Sequence, residues 1–191
     1  MNRSATLLIN LAHALDHMFL LIFATAVTRI AADLGVSRWE DLMPYSVASF
    51  FLFGLGSIPS GRLGDLWGRR PMMLVFFVGM GLSALLVSVV QTPWQLAGAL
   101  ALLGLFASIY HPVGIPMLLQ SASRPGLTIG INGMSGNLGI ALAAVVTGFL
   151  VKHMGWRDAF AIPGVICLLL GIWFWRVAPP EKQSPAQRQT K

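Results

Sequence analysis

Charge is scarce in this sequence. Only 10% of the 191 residues are Asp, Glu, Lys or Arg, and only seven are acidic. A soluble domain carries roughly 25%, so this chain has too little polar surface to face water. Cysteine is nearly absent as well. The single Cys167 closes no intrachain disulfide and provides no ligand-spaced thiol pair. Serine elbows and phosphate-cradling glycine loops are missing, and no nucleophile stands beside any His–Asp pair. An enzyme is therefore not expected, nor are catalytic residues or a cofactor.

Apolar residues make up 55% of the chain, and the mean hydropathy is +0.72. The net charge of +6 fits the basic loops of a membrane protein better than a nucleic-acid surface. About 20 apolar residues are needed to cross a hydrocarbon core of about 30 Å, and unpaired backbone groups are not tolerated in lipid. The pattern predicts an all-α membrane protein with six transmembrane helices, at about 5–28, 43–61, 72–90, 94–117, 127–151 and 158–177. Glycine, proline and polar clusters separate them. One transmembrane domain over 1–178 is expected, with a disordered cytoplasmic tail over 179–191.

The first span is too long for a signal peptide, and His13, Asp16 and His17 interrupt it. Its place is in the mature protein. Six spans put both termini on one side. That side holds Arg3, Arg62, Arg69, Arg70, Arg124, Arg176, Lys182, Arg188 and Lys191, against Arg29, Arg38, Lys152 and Arg157 opposite. Nine cations against four places both termini in the cytoplasm, with a bacterial inner membrane as the expected location. Trp39, Trp67, Trp94, Trp156, Trp173 and Trp175 fall near span ends and read as an interfacial belt.

Between the second and third spans stands Gly61-Arg62-Leu63-Gly64-Asp65-Leu66-Trp67-Gly68-Arg69-Arg70. Glycines here suit a tight turn, the arginines anchor to headgroups, and Asp65 is a carboxylate able to meet a helix N-terminus. In residue types and spacing this segment resembles the signature loop of the major facilitator transporters. Two further features are similar to that family. The fifth span repeats Gly130, Gly133, Gly136 and Gly139, small residues that allow close helix packing, and Gly155-Trp156-Arg157-Asp158-Ala159-Phe160 resembles its connection between spans five and six. Ala143-Ala144-Val145-Val146 departs from the Gly-Pro pair of the family's drug antiporters. The first span and Tyr110-His111-Pro112 resemble the fosmidomycin-resistance-like branch. The resemblance covers one six-helix half of the fold and implies a secondary transporter.

Spacings of three and four put His13, Asp16 and His17 on one helical face. Asp16 lies roughly 16 Å into its span, where a charge costs at least about 2.5–3.5 kcal/mol. Spans one and four line the path in the family, so the resemblance implies that this face looks into it. Asp16 is then the proton-coupling candidate, with His13 and His17 as its partners. A buried network that only ties helices together remains open. His111 is the counterpart in the fourth span and a candidate for the substrate path. Alternatively it caps carbonyls freed by Pro112 and Pro116. Tyr110 stands about 100° round the helix from it. Asn132 and Asn137 are substrate-path candidates too, with interhelical hydrogen bonding as their plainer role. No metal ligand set is assigned, although a transition-metal transporter using the His/Asp cluster is an alternative.

Full transporters of the family have two six-helix halves. This chain therefore implies a small-molecule substrate, a lipid bilayer and either a homodimer or a separately encoded second half. A non-transporting membrane subunit and a truncated gene product stay open. In a homodimer, the resemblance would place Asp65 of one protomer against the Leu127 end of the fifth span in the other.

Overall fold

The computed structural model describes residues 2–120 and 122–180. Among them there is no strand. Helix α1 is Arg3–Asp33. A 3-10 helix, Trp39–Ser46, leads into α2, Val47–Trp67. Helix α3 is Arg69–Ser88 and α4 is Pro93–Ala107. A π-helical turn, Tyr110–Gly114, passes into the short α5, Ile115–Leu119. Helices α6, Pro125–His153, and α7, Trp156–Val177, follow. With the 3-10 helix and α2 taken as one element, and α4, the π turn and α5 as another, six helices among the described residues are long and apolar enough to cross a membrane. Most run a few residues past the expected spans. Asn2, for instance, accepts from the Ala5 amide and starts α1 two residues early. Residues 181–191 of the expected tail, with Lys182, Arg188 and Lys191, lie outside the described residues.

Helix α1 packs mainly on α6, α3 on α7, and α2 on α4. Small residues set these distances. A Cβ on Gly81 would lie 2.9 Å from the Gly164 carbonyl oxygen, and one on Gly171 would lie 2.7 Å from Cβ of Phe77, so α3 and α7 are nearly in backbone contact. Helix α7 is pinned at both ends. At its start, Trp156 donates to Asp33 (3.2 Å), Arg157 pairs with Asp33 and also donates to the Val90 carbonyl (2.9 Å). At its end, Arg70 donates to the carbonyls of Ala178 (2.9 Å) and Trp175 (2.6 Å), while Asn2 donates to that of Val177 (2.7 Å). Trp156 is therefore buried under these contacts, with the Arg157 guanidinium 4.3 Å from its ring centroid, and is not part of the exposed belt.

The signature segment corrects one expectation. Gly61 and Gly64 lie inside α2, and the turn consists of Gly68 alone. A Cβ on Gly61 would sit 3.3 Å from Cβ of Pro112, and one on Gly64 would sit 3.0 Å from Cγ2 of Val113. These two glycines let α2 approach the π turn. Asp65 lies 3.7 Å from Arg69, one helical turn on. Gly68 holds φ 104° and ψ 149°, a region essentially reserved for glycine, where strain costs on the order of 1–3 kcal/mol. Gly68→Ala is thus expected to destabilise the protein by about that amount. Thermal unfolding in detergent checks it, and an unchanged midpoint would refute the strain argument.

The glycine repeat of the fifth span divides. A Cβ on Gly136 would meet the His13 and His17 rings at 2.7–2.9 Å, and one on Gly139 would collide with the Ala14 backbone. Around Gly130 and Gly133 nothing lies within 4 Å. Only the second pair brings α6 against α1.

Candidate functional site

The site forms where α1, the π turn and α6 meet. Pro112 and Pro116 lack the N–H that would continue α4. The chain there opens into a π turn, a feature often found at functional sites. One result is that Tyr110 and His111 both reach α1, although a regular helix would separate them by about 100°. Tyr110 stacks on His13, centroids 4.6 Å apart, and His111 meets the same ring edge-on at 5.2 Å.

Beneath them runs a hydrogen-bonded chain. Nδ1 of His13 donates to the Asn132 carbonyl at 2.8 Å, since a carbonyl only accepts. Neutral His13 then offers Nε2 as acceptor to Nε2–H of His17, 3.0 Å away. The Asn132 amide donates to the Tyr110 hydroxyl (2.7 Å) and to the Asn10 side-chain carbonyl (2.9 Å). Tyr110 in turn donates to the Ile9 carbonyl at 3.0 Å. Tyr110→Phe leaves an Asn132 N–H unpaired in a buried place, at about 1–3 kcal/mol, and removes the second hydrogen bond to the Ile9 carbonyl, which keeps its intrahelical partner. It should lower the unfolding midpoint while Tyr45→Phe does not, and equal midpoints would show that the chain carries no stability.

Asp16 is different. Its side chain is 0% exposed, and neither carboxylate oxygen has a hydrogen-bond partner. Nδ1 of His111 lies 3.7 Å from Oδ2. Asp16 stands 13 residues into α1, about 20 Å along its axis, close to the middle of a 31-residue helix. An unpaired charge buried there would cost several kcal/mol.

His13, Asp16, His17, Tyr110, His111 and Asn132 therefore come together. Asn137 does not, since it faces outward on α6. The sequence reading missed Asn10 and also a groove of about 260 Å³ lined by His17, Phe53, Gly54, Ser57, Ser108 and His111. The missed signal was a serine pair at helical spacing, Ser57 and Ser60. Ser60 lies 3.3 Å from Ser108 across the α2–α4 contact. One ring nitrogen from each of His13, His17 and His111 lies within 4.8 Å of the others. Zinc–nitrogen bonds of about 2.0–2.1 Å would need nitrogens about 3.4 Å apart, and His13 and His17 already share a hydrogen bond. A metal would have to draw the three rings together.

The chain matches the model of the family described as the Major Facilitator Superfamily over residues 8–191. It is 30% identical over 164 residues to the multidrug efflux pump LfrA of Mycolicibacterium smegmatis, covering 84% of this chain and 32% of that protein. With the probable actinorhodin transporter of Streptomyces coelicolor it shares 32% identity over 151 residues, 74% of this chain and 25% of the relative. The proton:xylose symporter XylE is similar in fold, with a TM-score of 0.77 at 16% identity, covering 97% of this chain and 47% of that one. The chain thus spans about a quarter to a third of these curated relatives and about half of the solved transporter.

Proposed function

Since this chain belongs to the Major Facilitator Superfamily, we propose that it is one six-helix half of a secondary transporter, moving a small solute in exchange for or together with protons. It is an integral membrane protein of a transporter family, not an enzyme. The observation that carries the proposal is Asp16, a carboxylate in mid-span with no hydrogen-bond partner, facing His111 beside an open groove. A proton gained or lost there changes the electrostatic cost of burial by several kcal/mol, enough to bias one arrangement of helices over another. His13 and His17 hold the neighbouring hydrogen bonds and serve as secondary proton sites, and His111 with Tyr110 and Asn132 forms the wall of the path. Asn137 belongs to the path only if a partner covers its face of α6.

A second six-helix half is part of this reading. The second and fifth spans are the least buried of those in the bundle, and the structural relative is about twice as long. A second copy of this chain is the simplest partner, with Asp65 reaching the Leu127 end of α6 in its mate. The cationic bias supports cytoplasmic termini, and the reading takes the membrane to be a bacterial inner membrane. The test is uptake into proteoliposomes holding this chain alone, under an imposed pH gradient, with mass measured in nanodiscs. The expected result is gradient-driven uptake by a dimer. Uptake by a monomer would overturn the pairing, and no uptake by a verified dimer would overturn transport by this chain alone.

A further inference from the structure

We infer that His13, His17 and His111 form a binding site for one divalent transition-metal ion of the zinc class, reached from the groove. The inference rests on the geometry of the cluster and stands apart from the transporter reading. One ring nitrogen from each histidine lies within 4.8 Å of the other two. Two of the three are nearly in place. Nε2 of His13 and Nε2 of His17 are 3.0 Å apart, against the roughly 3.4 Å that two ligands of a tetrahedral zinc require. Closing a separation of 4.8 Å to that distance moves each of two rings by about 0.7 Å, which stays within one rotamer. The rings are also held ready. Tyr110 stacks on His13 at 4.6 Å, and a Cβ on Gly136 would lie only 2.7–2.9 Å from the His13 and His17 rings.

The proton arrangement suits a metal as well. A carbonyl only accepts, so Nδ1 of His13 carries that ring's proton and donates it to the Asn132 carbonyl at 2.8 Å. A ligating histidine typically donates its second nitrogen in this way, and the Nε2 lone pair of His13 is left facing His17. At present Nε2–H of His17 fills it. The metal takes the place of that hydrogen: the His17 proton moves to Nδ1 through groove water, and both Nε2 atoms bind the ion. No net proton is released, and no charge on Asp16 is required. Oδ2 of Asp16 lies 3.7 Å from Nδ1 of His111, and a carboxyl beside a ligating histidine is a common companion of such sites. The ion has a way in, because His17 and His111 line the groove and the His111 side chain is 37% exposed. Three imidazoles and one water from the groove complete a tetrahedral set. Neutral imidazoles select zinc, cobalt, nickel or copper over magnesium. His13 and His17 stand on α1 and His111 on the π turn, so the ion clips the first span to the fourth.

The test titrates zinc chloride, cobalt chloride and magnesium chloride by calorimetry into the full chain, prepared without an affinity tag, in lipid nanodiscs. Zinc should bind as a single ion per chain, at least about tenfold tighter than magnesium. Cobalt should bind with the visible absorption of a tetrahedral ion. His13→Ala and His111→Ala should each weaken zinc by at least about tenfold, whereas His153→Ala, exposed at the end of α6, should not. Zinc should also raise the unfolding midpoint of the parent chain and leave that of His111→Ala unmoved. If His13→Ala does not fold, His17→Ala, at a half-buried ring, carries the same expectation. Zinc bound no more tightly than magnesium, or bound equally well by the cluster variants, would overturn the inference, as would binding lost only in His153→Ala. Zinc binding without any solute uptake in proteoliposomes would support this site and contradict transport by this chain alone. Gradient-driven uptake by a chain that binds no zinc would do the reverse.

Discussion

Asp16→Asn is expected to lower pH-driven uptake by at least about tenfold while leaving an assembled helical bundle. The size of the effect follows from comparing energies. Swinging a two-state transporter from one arrangement to the other takes about 5.5 kcal/mol of differential stabilisation. An exposed ion pair such as Asp65–Arg69, with Asp65 63% exposed, supplies about 0–1 kcal/mol and cannot do this. A buried carboxylate gaining or losing its charge supplies several kcal/mol. Asparagine keeps the shape and removes the proton exchange. The bundle should tolerate the change, because neither Asp16 oxygen makes a hydrogen bond that would be lost. Normal unfolding with abolished gradient dependence is the expected pair of results. Uptake that keeps its pH dependence would remove Asp16 from the coupling.

The largest structural effect is expected at Gly139. Its place on α6 faces the Ala14 backbone so closely that even one methyl group collides with it, and backbone cannot rotate aside as a side chain does. Gly139→Val should cost about 3 kcal/mol or more, the upper range for overpacking, by separating α1 from α6. The same separation pulls His13 from the Asn132 carbonyl and should disorder the cluster. Gly130→Ala is the control, since nothing lies within 4 Å of its Cβ position and alanine gains up to about 1 kcal/mol of helix propensity. Thermal unfolding of both variants checks this. A Gly139→Val midpoint equal to that of Gly130→Ala would mean that the two helices do not meet as described.

The contrast between these glycines was available from the sequence. At 100° per residue, nine residues turn a helix through two and a half turns, so Gly130 and Gly139 stand on opposite faces and cannot share one contact. The shared face of His13, Asp16 and His17 was equally readable, because it depends only on local spacing. Tyr110 was not. Its stacking on His13 arises from the π turn, and prolines announce that a helix breaks without saying how it rewinds. Gly61 and Gly64 were read as turn residues, yet only Gly68 has a positive φ. Their actual contact, with Pro112 and Val113, is about fifty residues away in sequence and has no local signature. The serine-lined groove needed the same long-range information, since α2 and α4 supply its opposite sides.

The most direct test of the central claim is proton movement itself. Vesicles reconstituted with this chain and loaded with a pH-sensitive dye are given, one at a time, a panel of small sugars, organic anions and organic cations with no imposed gradient. The expected result is a solute-dependent change in internal pH that is saturable and lost in Asp16→Asn. Saturable solute uptake with no accompanying proton movement, or proton movement that survives Asp16→Asn, would contradict the account.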